Sequence, residues 1–115
     1  MNALAAAVKT DDKEPKLFFH HIRERTADGM ILPNGGATLC YVPNFATGMY
    51  DIFVARCHRK DLYCKRIGRI KAEARSHERS GAHKIGSLAF DASMLRIRGE
   101  QLYAKYCIAH KNNAH

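Results

Sequence analysis

The chain has 115 residues, 46% of them hydrophobic, with 19 Lys or Arg against 11 Asp or Glu. That length supports one domain with a modest core and excludes a core plus a deep cofactor cleft of the usual kind. The net charge of +8 favours nucleic acid or an acidic protein as partner, and no apolar run approaches the ~18 residues a membrane span requires.

Met1 to Pro15 carries little hydrophobic periodicity and reads as a frayed arm, with one possible helical turn over Ala3–Val8. It lacks the basic start and cleavage pattern of a signal peptide. Lys16 to Arg25 is expected to be a strand, because Leu17, Phe18, Phe19 and Ile22 are β-type residues. Ala27-Asp28-Gly29 and Pro33-Asn34-Gly35-Gly36 are turn signals around a possible short strand over Met30–Leu32. Ala37 to Val42 is the next strand, Pro43 to Gly48 a loop, and Tyr50 to His58 pairs back as a hairpin. Ile52 and Val54 face one side and Phe53, Ala55 and Cys57 the other, so this last strand is expected to be covered on both faces.

A helix from Leu62 to about Ser76 follows, with Asp61 as its expected N-cap. Tyr63, Ile67, Ile70 and Ala74 fall on one stripe, expected to pack on the sheet. On that reading Ile67→Asp buries an unpaired carboxylate and unfolds the chain. Gly68 inside the helix costs about 1 kcal/mol relative to Ala, which suggests close approach by another group; a tolerated glycine on a solvated face is the alternative. Ser80-Gly81 ends the helix region, and Ile85 to Phe90 is a short strand. Leu95 to Arg98 alternates like a strand, yet Leu95, Gly99, Leu102, Tyr106 and Ala109 share a helical face, so a helix is favoured to about His110. Asn112 to His115 is a tail. The resulting fold class is α+β: an antiparallel sheet of three or four strands, one basic helix packed on it, and a C-terminal helix, in a single domain over residues 16–111.

The stretch from Arg56 to Arg79 holds nine Lys or Arg (56, 59, 60, 65, 66, 69, 71, 75 and 79) against Asp61, Glu73 and Glu78, a local charge of 9 − 3 = +6. Helical pairs such as Arg69–Glu73 account for one or two of these charges, not six. The run Cys57-x-x-Lys60-Asp61-x-Tyr63-x-x-Arg66-x-Gly68-Arg69-x-x-Ala72-x-x-Arg75 resembles a pattern of small phage- and prophage-encoded proteins, in which a β-hairpin leads into a basic helix. The match covers roughly residues 36 to 75. The resemblance implies a phage-type genetic context; the chain departs from the pattern in its longer N-terminus and in the segment after Ser80.

Candidate chemistry is sparse. Cys57, His58 and Cys64 lie close in sequence, and Cys40 is a candidate neighbour of Cys57 across the hairpin, but there is no Cys-x-x-Cys pair of the kind structural zinc uses. The four cysteines read as reduced thiols of a cytosolic protein. His20 and His21 point to opposite faces of their strand and cannot chelate one metal; one is expected to be core-facing and hydrogen-bonded, the other exposed. Nothing marks an oxyanion site or a carboxylate orienting a Cys–His pair, and Asp51 and Asp61 read as edge and cap residues. Asn34-Gly35-Gly36 leads into a strand, not the helix a phosphate-cradling loop requires. A helix-turn-helix lacks its second helix at the right distance. The expectation is therefore a protein without enzymatic activity, cofactor or metal. It would act through Arg59, Lys60, Lys65, Arg66, Arg69, Lys71, Arg75 and Arg79 on a bacterial host complex that processes nucleic acid or serves in defence; the alternative is a regulator contacting DNA or RNA phosphates with the same residues.

Overall fold

The computed structural model describes residues 14–110. The expected helical turn over Ala3–Val8, most of the N-terminal arm and the tail lie outside them. Four strands, β1 (Phe18–Ile22), β2 (Ala37–Asn44), β3 (Met49–Arg56) and β4 (Lys84–Ala89), form one antiparallel sheet in the order β1-β2-β3-β4. Helix α1 (Lys65–Ser76) joins β3 to β4, and α2 (Leu95–Ala109) follows β4. The α+β class expected from the sequence is what the structure has. Met30–Leu32 contributes only a single bridge, Arg25 to Ile31.

The helices cover opposite faces. On one face Leu39, Tyr41, Tyr50, Ile52 and Val54 form the main core, joined by Leu95, Leu102, Tyr103 and Tyr106 of α2. On the other, Cys40 and Ala55 meet Ala72 of α1. β3 thus has apolar residues buried on both sides, as its composition indicated. Aromatic rings supply much of the α2-side core. Phe18 stacks on Tyr41 with centroids 4.2 Å apart, and Tyr50 meets Phe18, Tyr41 and Phe90 edge-on. The buried Tyr41 hydroxyl donates to the Leu95 carbonyl at 2.8 Å, which satisfies its polar end. Burial pushes the Tyr41 phenol up to about 12. Asp51 is no edge residue: it sits on the interior strand β3 and accepts from Ser87 at 2.9 Å and Asn44 at 3.1 Å, with Lys84 at 3.2 Å. Burial opposes its charge, but those three partners outweigh it and hold the carboxyl below its ordinary value.

Each helix docks through a glycine onto β2. An added Cβ at Gly68 of α1 would overlap the Thr38 hydroxyl, and one at Gly99 of α2 would overlap the Tyr41 hydroxyl. Close approach is therefore the reason for Gly68. It also overturns the expected packing of α1. The face turned to the sheet carries Gly68, Ala72 and Arg75, whereas Ile67 and Ile70 are 51% and 59% exposed. The sheet face beneath offers Thr38, Cys40 and Ala55, and only small residues let the helix axis come close enough to cover them. Isoleucines there would hold the helix off.

Gly68→Ala and Gly99→Ala should each destabilise the protein by about 1–3 kcal/mol, the usual cost of overpacking, despite alanine's higher helix propensity. Urea unfolding measures this. Thr38→Ala should cost less in the Gly68→Ala background than in the parent, since the two positions are in contact.

Candidate nucleic-acid or protein interface around α1

The corner between β3 and α1 is tied to the loop after Leu32 rather than capping the helix. Asp61 N–H donates to His58 O at 2.8 Å, and Gly35 N–H donates to Asp61 O at 3.0 Å. Asn34 Nδ2 donates to the Lys60 carbonyl, and Tyr63 N–H to Pro33 O. The Asn34–Leu62 bridge keeps this segment extended, so α1 starts at Lys65. Its N-cap is Cys64, without a side-chain cap bond, not Asp61. The Cys57 thiol faces the carbonyls of His58, Asp61 and Leu62 at 3.5–3.6 Å. Cys40 stands opposite Phe53 in the ladder, not beside Cys57. Among the described residues, no three His, Cys, Asp or Glu gather as a metal site.

Tyr63 is not part of a helical stripe. Its ring lies against Gly36, whose φ of +98° and approach to Ile22 O leave no space for a side chain. Its hydroxyl donates to the Ala37 carbonyl at 3.1 Å and meets Thr38 Oγ1 at 2.8 Å and His21 Nδ1 at 2.6 Å. Thr38 Oγ1 also lies 3.0 Å from His21 Nδ1. On the other side of β1, His20 pairs with Glu100 of α2. The two histidines do face opposite ways, but both are half-buried and both are hydrogen-bonded. Burial, then the positive charges of Lys65 and Arg69, lower the His21 pKa; His20 and Arg96 add to this. Burial raises that of Tyr63, against its bond to Thr38.

Of the eight basic residues named from the sequence, seven are exposed: Arg59, Lys60, Lys65, Arg66, Arg69, Lys71 and Arg79. Arg75 is half-buried and donates to the Val54 carbonyl at 3.2 Å, so it also anchors α1 to β3. The eight do not form one continuous patch. At 100° per residue, Lys65 and Arg69 flank the helix on the His21 side, and Lys71 and Arg75 flank it on the other, where they line a groove. Arg59 and Lys60 sit on the corner and Arg79 lies beyond the helix. The ion pairs among the described residues are His20–Glu100, His83–Glu78 and Lys84–Asp51; none lies within α1, and Arg69 is not paired with Glu73.

Between the two flanks runs the outward crest of α1: Ile67, Ile70 and Ala74, with Arg66 beside them. Leu62, 73% exposed, precedes it in the chain. This crest was not foreseen, because the helical spacing that marked it was read as the core-facing side. Comparison with known protein families, curated proteins and solved structures finds no match for this chain. The resemblance to small phage proteins therefore rests on its own residues.

His21 gives a pH test with a definite sign. Its folded pKa lies below its ordinary value of 6.5. The folded state therefore favours the neutral ring, and the stability this contributes is present above pH 6.5 and lost as pH falls through the folded pKa. The stability of the parent in chemical denaturation should fall from pH 7.5 to pH 5 by more than that of His21→Asn.

Proposed function

We propose that this protein is a non-enzymatic accessory module that docks a host protein through the outward crest of α1. The observation that carries this reading is the exposure of Leu62, Ile67 and Ile70 on a surface flanked by cations. Apolar groups at the centre of a contact with charges at its rim make the usual anatomy of a protein interface. The surplus of positive charge selects an acidic partner and speeds the encounter. The phage-type resemblance gives the context: a bacterial cytoplasm, and a host complex that handles nucleic acid or serves in defence and is blocked or redirected by the bound module.

The second reading, binding of DNA or RNA, is favoured by the seven exposed cations. The crest itself argues for the first. Its exposed apolar groups are aliphatic, whereas single-stranded nucleic acid is usually held by aromatic stacking. A helix entering a duplex groove presents polar groups to base edges rather than a pair of isoleucines.

The test is retention of partners from bacterial lysate, with and without nuclease, at ~50 and ~200 mM salt. A protein interface should survive nuclease and lose little across that range, whereas binding through several phosphates should fall by orders of magnitude. Ile67→Asp with Ile70→Asp should leave stability within about 1 kcal/mol of the parent, since both sites are exposed, and abolish retention. Lys65→Glu with Arg69→Glu should also fold and weaken binding sharply. Should both variants fold and retain the same partner as the parent, the crest is a solvated face and the proposal fails.

A further inference from the structure

On the flank of α1 away from His21, a groove of about 450 Å³ opens between the helix, the end of β3 and the approach to β4. Its origin is topological. β4 begins at Lys84, opposite Phe53, with a register shift there, while β3 continues to Arg56. Val54 N–H donates to His83 O at 3.0 Å, past the start of β4. Antiparallel alternation turns the next main-chain N–H on that side, that of Arg56, into the space beyond. Cys57 N–H, one residue on, points the other way, to Gly36 O.

The side chains that reach this space are strongly biased in charge. Arg56 comes from β3, Lys71 and Arg75 from α1, and His83 from the loop before β4; Asp61 is the single carboxylate lining it. Three of these groups are held in place: the Arg56 side chain lies on the α2 side of β3, where it is hydrogen-bonded to Tyr103. Arg75 uses one of its five N–H donors on the Val54 carbonyl, and His83 is fixed by Glu78 at 2.8 Å. The wall between them includes Ile67 and Tyr106, which give the groove an apolar side. The volume lies in the range of small-ligand sites, and fixed guanidinium groups match the oxygens of a phosphate better than a lone ammonium does.

We propose that this groove binds a small phosphate monoester, its phosphate held by Arg56, Lys71 and Arg75 with His83 as a further hydrogen-bond partner, and its organic part against Ile67 and Tyr106. This site adjoins the crest and shares Ile67 with it, but its occupancy does not depend on a protein partner. The experiment is a calorimetric titration with inorganic phosphate and with phenyl phosphate at constant ionic strength, alongside ³¹P NMR. Both should bind saturably, phenyl phosphate more tightly. Lys71→Gln and Arg56→Gln should each weaken binding roughly tenfold, as loss of a charge-assisted hydrogen bond does, and His83→Gln should weaken it less. Arg66→Gln, on the crest, should leave it unchanged. If Arg56→Gln does not fold by circular dichroism, Lys71→Gln and His83→Gln decide. Absence of saturation, or equal weakening by Arg66→Gln, overturns the proposal, because the attraction is then the diffuse field of a basic chain. Loss of partner retention in Ile70→Asp, a position outside the groove lining, with phosphate binding intact separates this site from the docking surface.

Discussion

Both helices of this fold are held against β2 at distances that only a glycine permits. Thr38 presses on Gly68 of α1 from one face, and Tyr41, three residues along the same strand, presses on Gly99 of α2 from the other. The surrounding core follows from these two contacts. Tyr41 is carried deep enough to stack on Phe18 and to reach the Leu95 carbonyl in the first turn of α2. Thr38 is carried into the group it forms with His21 and Tyr63. A strand whose neighbouring positions serve opposite faces can act as the common support of two layers.

The docking of α1 through Gly68 and Ala72 also determines what the helix shows to solvent. A helix seated on small residues has its large ones left over, and here these are two isoleucines among cations. The core beneath α1 is correspondingly thin, with Cys40, Ala55 and Ala72 at its centre. Attachment there depends on polar bonds as well as burial: the Tyr63 hydroxyl on the Ala37 carbonyl and Arg75 on the Val54 carbonyl. One consequence is that Lys65 and Arg69 stand near a half-buried histidine and add to the effect of burial in biasing it towards its neutral form.

The sheet, its antiparallel order and the two helices were legible in the sequence because they rest on local signals: the two-faced apolar run Ile52–Ala55, the turns at Gly29, Gly35 and Gly48, and the helical spacing of Leu95, Gly99, Leu102 and Tyr106. Three features of the α1 region were not legible. Its stripe of isoleucines faces outward because the sheet face below requires small residues, and that requirement comes from β2, a distant segment. Asp61 is not the cap because the loop at Pro33–Gly35 captures the corner first. The basic residues split into flanks because α1 turns Gly68 and Ala72 to β2 and β3, which leaves Lys65 and Arg69 on one side of the helix and Lys71 and Arg75 on the other. Gly68 was the one residue in the sequence that pointed to this arrangement, since its cost in a helix called for a close neighbour.

The outward face of α1 holds no part of the core. Residues 66, 67 and 70 can therefore vary in size and charge while Gly68, Ala72 and Arg75 keep the helix in place. Docking and folding are written on opposite sides of the same twelve-residue helix. Such a separation makes the scaffold retargetable: a few exchanges on one side can redirect it to a different acidic surface without repacking anything beneath.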